Sequence, residues 1–179
     1  MLLELDEISA EGIVKEYSVP VEKFMELKAI VDNAQFDFTS ELEFQLRLQR
    51  VGPLVELGGH LTATISEICG RCLSPYEERI KSVFSLTFTP QKKSDPEQEE
   101  LELEADELGL VFYEGEQIDL HEALQEQVII SLPIGPLCKD ECLGLCIECG
   151  ANLNLANCDC EKKLFNNKFT TLKNLKLDS

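Results

Sequence analysis

The chain contains no tryptophan, two histidines and two methionines among its 179 residues, and aromatic side chains make up only 7% of it. A core built from it must be mostly aliphatic. Histidine chemistry has little to draw on. His60 sits in strand-like sequence beside Gly58-Gly59, His121 falls in the first turn of a helix, and neither has a nucleophile in a recognisable arrangement. There is no glycine-rich phosphate loop. No apolar run approaches the roughly 20 residues that cross a bilayer. The first residues, Met1-Leu2-Leu3-Glu4-Leu5-Asp6-Glu7, carry acids where a targeting peptide carries bases. These absences predict a cytoplasmic protein that is not an enzyme, with no membrane contact and no small-molecule substrate.

Positive charge is also scarce. Sixteen Lys and Arg face 34 Asp and Glu, for a formal net charge of -18. The balance is uneven: from Glu161 onward there are five lysines and two acids, so this tail is basic and the rest of the chain more acidic still. An acidic body repels phosphates and lacks the basic footprint of a nucleic-acid binder. It suits a basic protein partner, and it leaves the lysine tail as a place for RNA contact.

What is present reads mainly as strand. Leu42, Phe44, Leu46 and Leu48 alternate with polar residues from Glu41 to Val51, a period of two that buries one face. Gly52-Pro53 is a turn. A second strand is expected from Leu54 through Ile65, broken or bulged at Gly58-Gly59. A third runs from Glu78 to Thr89 with Ile80, Phe84, Leu86 and Phe88 on one face. Their β-branched and aromatic content favours antiparallel pairing. Weaker patterns place a strand within 12–21, ended by Pro20, and a short helix over 22–31. Residues 91–108 hold eight acids and two lysines and read as a solvated, mobile insert. A short strand is expected at Leu110–Tyr113. Asp119 and Glu122 form a D-x-x-E capping box that opens a helix to about Ser131, with Leu120, Leu124 and Val128 on one face. Phe165, Phe169 and Leu172 fall at helical spacing near the end. The expected fold is α+β, mostly β: an antiparallel sheet or partly closed barrel with a few short helices. Residues 1–137 form the β-rich core and residues 138–179 a cysteine-rich, zinc-binding segment with a short basic helix packed on that core.

The eight cysteines come in four close pairs: Cys69/Cys72, Cys138/Cys142, Cys146/Cys149 and Cys158/Cys160. In a reducing compartment such clusters are metal ligands before they are disulfides. Two thiolates two to four residues apart reach one ion from a single tight turn, and an all-cysteine zinc site needs two such turns. Cys146-x-x-Cys149-Gly150 has the form of a zinc knuckle, whose glycine lets backbone N–H groups face the sulfurs. Four pairs supply one or two structural Zn²⁺ ions with no open catalytic position. The preferred partition sets Cys146, Cys149, Cys158 and Cys160 around one ion and Cys69, Cys72, Cys138 and Cys142 around another. The alternative is one site drawn from the six C-terminal cysteines, with Cys69 and Cys72 free. A thioredoxin-like role for Cys69-Gly70-Arg71-Cys72 is disfavoured, because a strand rather than a helix follows it.

The order of these features resembles the YceD family of bacterial and plastid proteins, associated with accumulation of large-subunit ribosomal RNA. The residues that carry the resemblance are Cys69-Gly70-Arg71-Cys72-Leu73, Tyr113-Glu114-Gly115, Ile118-Asp119-Leu120, Glu126-Gln127, Leu132-Pro133 and Pro136-Leu137-Cys138. They continue through Cys142-Leu143-Gly144-Leu145-Cys146, Cys149-Gly150, Leu153-Asn154 and Cys158-Asp159-Cys160. The resemblance spans most of the chain after about Glu41. It implies a non-enzymatic factor in ribosome biogenesis that binds a ribosomal protein or a large-subunit rRNA precursor. Two other functions fit the same parts: a zinc-ribbon adaptor in another process, and a thiol-based redox or metal sensor.

Overall fold

A computed structural model describes residues 1–33, 36–91 and 109–160. Its centre is the run of alternating residues. Strand β4 (Leu42–Val51) buries Leu42, Phe44, Leu46 and Leu48 and exposes the polar residues between them. At its end Val51 pairs with Leu54 across Gly52-Pro53, and Gly52 takes φ +63°. That is the first position of a two-residue primed turn, which glycine occupies without a Cβ clash. Strand β5 (Leu54–Ile68) returns antiparallel to β4, and β6 (Pro75–Pro90) returns antiparallel to β5.

The break expected at Gly58-Gly59 is absent. Register continues through both residues, with Gly58 opposite Arg47 and Ser85, and Gly59 opposite Leu46 and Phe84. A glycine in a strand signals either a bulge or a close approach, and here it is the second. A Cβ on Gly59 would lie 2.2 Å from the Phe84 ring.

Strand β2 (Ile13–Val19) pairs with β4 on its outer side, and β3 (Phe36–Phe38) pairs with the far end of β5. Strand β7 (Leu110–Tyr113) joins β6 in parallel, giving the order β2-β4-β5-β6-β7. The sheet is therefore open and mixed, antiparallel from β2 to β6 and parallel only at that last pairing. Two strands too short to show a period in sequence, β1 (Leu2–Glu4) and β8 (Gln117–Asp119), form a separate antiparallel pair.

Two helices complete the core. Helix α1 (Met25–Asn33) begins after a 3₁₀ turn at Val21–Lys23 and contributes Leu27, with Phe24 just before it. Helix α2 (His121–Ser131) contributes Leu124 and Val128, and Leu120 precedes it. All five are fully buried with Phe44, Leu57, Ile65 and Ile118 in one hydrophobic cluster. The Gln125 amide joins the helices, donating to the Glu26 carboxylate at 2.9 Å and accepting from the Glu26 N–H at 3.3 Å. The expected capping box does not form: the Asp119 carboxylate accepts from the His121 N–H at 2.9 Å, one residue short of Glu122, and the residue that caps α2 is Leu120, with no side-chain cap. His121 stacks on Phe24, with ring centroids 4.6 Å apart, and His60 is exposed.

No described helix is long and apolar enough to cross a membrane. The acidic insert, beyond Gln91, and the C-terminal basic helix expected over 162–176 lie outside the described residues.

Candidate metal centre

The turn between β5 and β6 carries the first cysteine pair. Strand pairing runs up to Ile68 and Pro75, so the turn is anchored on both sides. It is closed by the Cys69 N–H donating to the Ser74 carbonyl at 3.0 Å and the Leu73 N–H donating to the Cys69 carbonyl at 2.9 Å. Leu73 sits at φ +56°, an uncommon conformation for leucine, so the turn keeps a local strain that its hydrogen bonds hold in place.

The chain after α2 docks on this turn. The Gly70 N–H donates to the Pro136 carbonyl at 2.8 Å, and the Leu145 N–H donates to the Arg71 carbonyl at 3.1 Å. Arg71 reaches the other way, its Nη1 donating to the carbonyls of Asp140 and Cys142 at 3.1 Å each. Gly144, at φ +74°, passes so close that a Cβ there would lie 3.1 Å from the Arg71 carbonyl oxygen. These contacts bring Cys138 and Cys142 to Cys69 and Cys72.

The eight sulfurs fall into two sets of four, Cys69, Cys72, Cys138 and Cys142 in one and Cys146, Cys149, Cys158 and Cys160 in the other. Within each set the Sγ atoms all lie within 4.8 Å of one another. Cys158 and Cys160, despite their one-residue spacing, belong to the same set. In the first, Cys69 and Cys142 sulfurs are 3.8 Å apart, and Cys72 and Cys138 sulfurs 3.7 Å. A disulfide requires about 2.05 Å. A tetrahedron with Zn–S bonds of about 2.3 Å has an edge of about 3.8 Å. Donor type and spacing thus fit a four-coordinate metal ion in each set, with no position left open. Cys69, Cys72 and Cys142 are buried, in a small cluster with Tyr76, Leu137 and Leu145 that is separate from the main core; the second set is more exposed.

Backbone amides point at the sulfurs. The Cys69 thiol is held well below the ordinary thiol value, at about 6, first by the amide of Cys138 and then by that of Cys72, against burial. Cys146 is likewise held at about 6 by the amides of Cys149 and Glu148. The Cys72 thiol is lowered by the amide and hydroxyl of Ser74. Burial and neighbouring thiols push Cys138 up to about 12; the Cys149 thiol, then burial, does the same to Cys160. Cys158 is raised, chiefly by Cys146. Four thiols this close resist ionising together, and a cation among them removes that repulsion.

Around the sulfurs stand residues for which cysteine spacing carried no signal. Asn154 donates from Nδ2 to the Cys142 sulfur at 3.3 Å, and Asn152 donates to the Ser74 hydroxyl at 3.2 Å. Tyr76 donates to the buried Glu67 carboxylate at 2.7 Å. Burial raises the Glu67 carboxyl above its usual range, partly offset by that hydrogen bond. The asparagines have one weak local signal: an N-x-N run between two cysteine pairs is turn-forming sequence.

Several known proteins are similar to this chain in sequence. An uncharacterized protein of Mycobacterium tuberculosis is 34% identical over 113 residues, covering 63% of this chain and 51% of its own length. The large ribosomal RNA subunit accumulation protein YCED homolog 1, chloroplastic, of Arabidopsis thaliana is 27% identical, covering 85% of this chain and 54% of its own length. Its counterpart of the same name in Zea mays is 27% identical over 61% of this chain. The chain spans about half the length of the relatives it matches. No solved structure matches it. The family described as large ribosomal RNA subunit accumulation protein YceD matches residues 57–176, from the inner part of β5 through both cysteine sets. This chain belongs to the YceD family.

Proposed function

We propose that the chain is a non-enzymatic factor in ribosome biogenesis that supports the accumulation or processing of large-subunit ribosomal RNA. The observation that carries this reading is the family match over residues 57–176, which takes in both cysteine sets. The name of the Arabidopsis relative points the same way.

In this reading each set holds one structural zinc ion. Cys69, Cys72, Cys138 and Cys142 bind the first, and Cys146, Cys149, Cys158 and Cys160 bind the second. Four soft thiolates in a tetrahedral spacing support zinc. The first ion clamps the cysteine-rich segment, 138–179, to the β-rich core, 1–137. A net charge of -18 favours a basic partner, so a ribosomal protein is the first candidate, with precursor rRNA meeting the lysine-bearing tail. A chain dependent on eight reduced thiols works in a reducing compartment such as the cytoplasm.

Depleting the protein in its own cell tests the function. The expected result is a fall in mature large-subunit rRNA or a build-up of its precursors, restored by re-expression. Unchanged levels of both would overturn the proposal. Metal analysis of the purified chain tests the zinc reading, with two zinc ions per chain expected.

A further inference from the structure

The second cysteine set encloses the residues that complete the first. Cys149 and Cys158 lie in one set, and between them runs the segment that carries Asn152 and Asn154. This segment lies antiparallel to residues 143–146. Leu145 and Asn152 form a β-bridge, the Cys146 N–H donates to the Ala151 carbonyl at 2.8 Å, and the Leu153 N–H donates to the Gly144 carbonyl at 2.9 Å.

Asn154 sits at the end of this arrangement with every polar atom of its side chain engaged. Its Oδ1 accepts from the Leu143 N–H at 3.0 Å. Its Nδ2 donates to the Asn152 Oδ1 at 2.9 Å and to the Cys142 sulfur at 3.3 Å. The Leu143 amide requires an oxygen opposite it, so the orientation of the Asn154 amide is determined and its nitrogen faces the sulfur. Cys69 and Cys146 draw their donors from backbone amides close to their own sets. Cys142 draws this one from a side chain that belongs to the loop of the other set.

We propose that Asn154 couples the two metal sites, so that a metal ion bound by Cys146, Cys149, Cys158 and Cys160 strengthens metal binding by Cys69, Cys72, Cys138 and Cys142. This rests on the reading that both sets hold metal. An ion bridging Cys149 and Cys158 closes the loop between them and removes most of its conformational freedom. The closed loop presents the Asn154 N–H to Cys142. That hydrogen bond stabilises the thiolate and reduces the charge crowded onto four sulfurs and one divalent ion. Coupling between binding sites is reciprocal, so filling the first set strengthens the second by the same factor.

The experiment is competition between the full-length chain and a chromophoric chelator for Co²⁺, whose thiolate charge-transfer absorbance reports each site. Four proteins are compared: wild type, Asn154→Leu, Cys158→Ser/Cys160→Ser, and the combination of all three changes. A Cys69→Ser/Cys72→Ser protein assigns the signal of the second set. Disabling the second set is expected to weaken cobalt binding at the first by about tenfold, within the range for outer-shell changes. Asn154→Leu is expected to weaken it by a similar factor while keeping two ions per chain. The combination is expected to be little worse than either alone. Two ions per chain with unchanged first-site affinity in Asn154→Leu, or strictly additive effects, would overturn the coupling alone. Fewer than two ions bound by the wild type would overturn the two-metal reading, and the coupling with it.

Discussion

Phe84 lies with its ring against the backbone of Gly59, its antiparallel partner across the β5–β6 ladder. The relationship explains an unbroken strand through two consecutive glycines. Only Gly59 points to the inner face, and only there does a ring need the space.

The two glycines should therefore respond oppositely to alanine. Gly59→Ala forces a Cβ to 2.2 Å from the ring and is expected to cost about 1–3 kcal/mol, the usual range for overpacking. Gly58 has no neighbour within 4 Å of an added Cβ. Gly58→Ala is expected to stabilise by about 0.5 kcal/mol, because a strand glycine loses more backbone freedom on folding. Urea denaturation of both variants measures the difference.

Arg71 holds the Cys138–Cys142 loop by its Nη1 bonds to two carbonyls. Arg71→Ala is expected to weaken metal binding at the first set by at least tenfold, a typical cost for losing an outer-shell partner. Chelator competition with zinc checks this. An unchanged affinity would show that the loop is held by its backbone contacts alone.

Removing metal should leave the sheet standing. The main hydrophobic cluster contains no cysteine, and strands β2 to β7 pair without help from either set. After treatment with a strong chelator, limited proteolysis is expected to show new cuts within residues 137–160 that the untreated protein lacks. The far-UV circular dichroism of the sheet should be largely retained. Loss of the whole spectrum on chelation would mean that the core depends on the metal.

Asp119 provides a pH test far from the cysteines. Burial opposes its ionisation, but the His121 amide and the terminal ammonium outweigh it, so its carboxyl lies below the ordinary 3.8. A depressed carboxyl stabilises the fold above the unfolded value and loses that contribution as pH falls through the folded one. Asp119→Ala is expected to cost about 1 kcal/mol at pH 7, the usual net worth of a hydrogen bond. That cost should shrink below pH 3.8. Melting temperatures of variant and wild type across this range measure it. A gap independent of pH would indicate that the charge is irrelevant and only packing was lost.

Much of the fold was legible because its signals are local. The alternation from Leu42 to Leu48 reports which face is buried, since strand side chains alternate regardless of neighbours. Gly52-Pro53 marks its own turn, and Asp119 marks the start of α2. The Gly58-Gly59 signal was equally local and misled, because a bulge and a close aromatic contact look identical in sequence. Strands of three residues, such as β1 and β8, carry no period at all. The parallel sense of β7 depends on the path taken by the chain between Pro90 and Leu110, which no pattern within either strand encodes.

The cysteines divide in the same way. The sequence by itself determined that they come as four pairs, because spacing within a pair is a matter of one tight turn. It left open whether Cys69 and Cys72 join a set or stand apart. Tertiary structure decided which pairs meet: the Gly70–Pro136 and Leu145–Arg71 hydrogen bonds bring residues 66 or more positions apart in sequence to sulfur–sulfur distances of 3.7 and 3.8 Å. It also decided that Asn154 faces Cys142. A ligand pair is a property of a short stretch of backbone, whereas a complete set and its hydrogen-bond donors require distant segments to pack together.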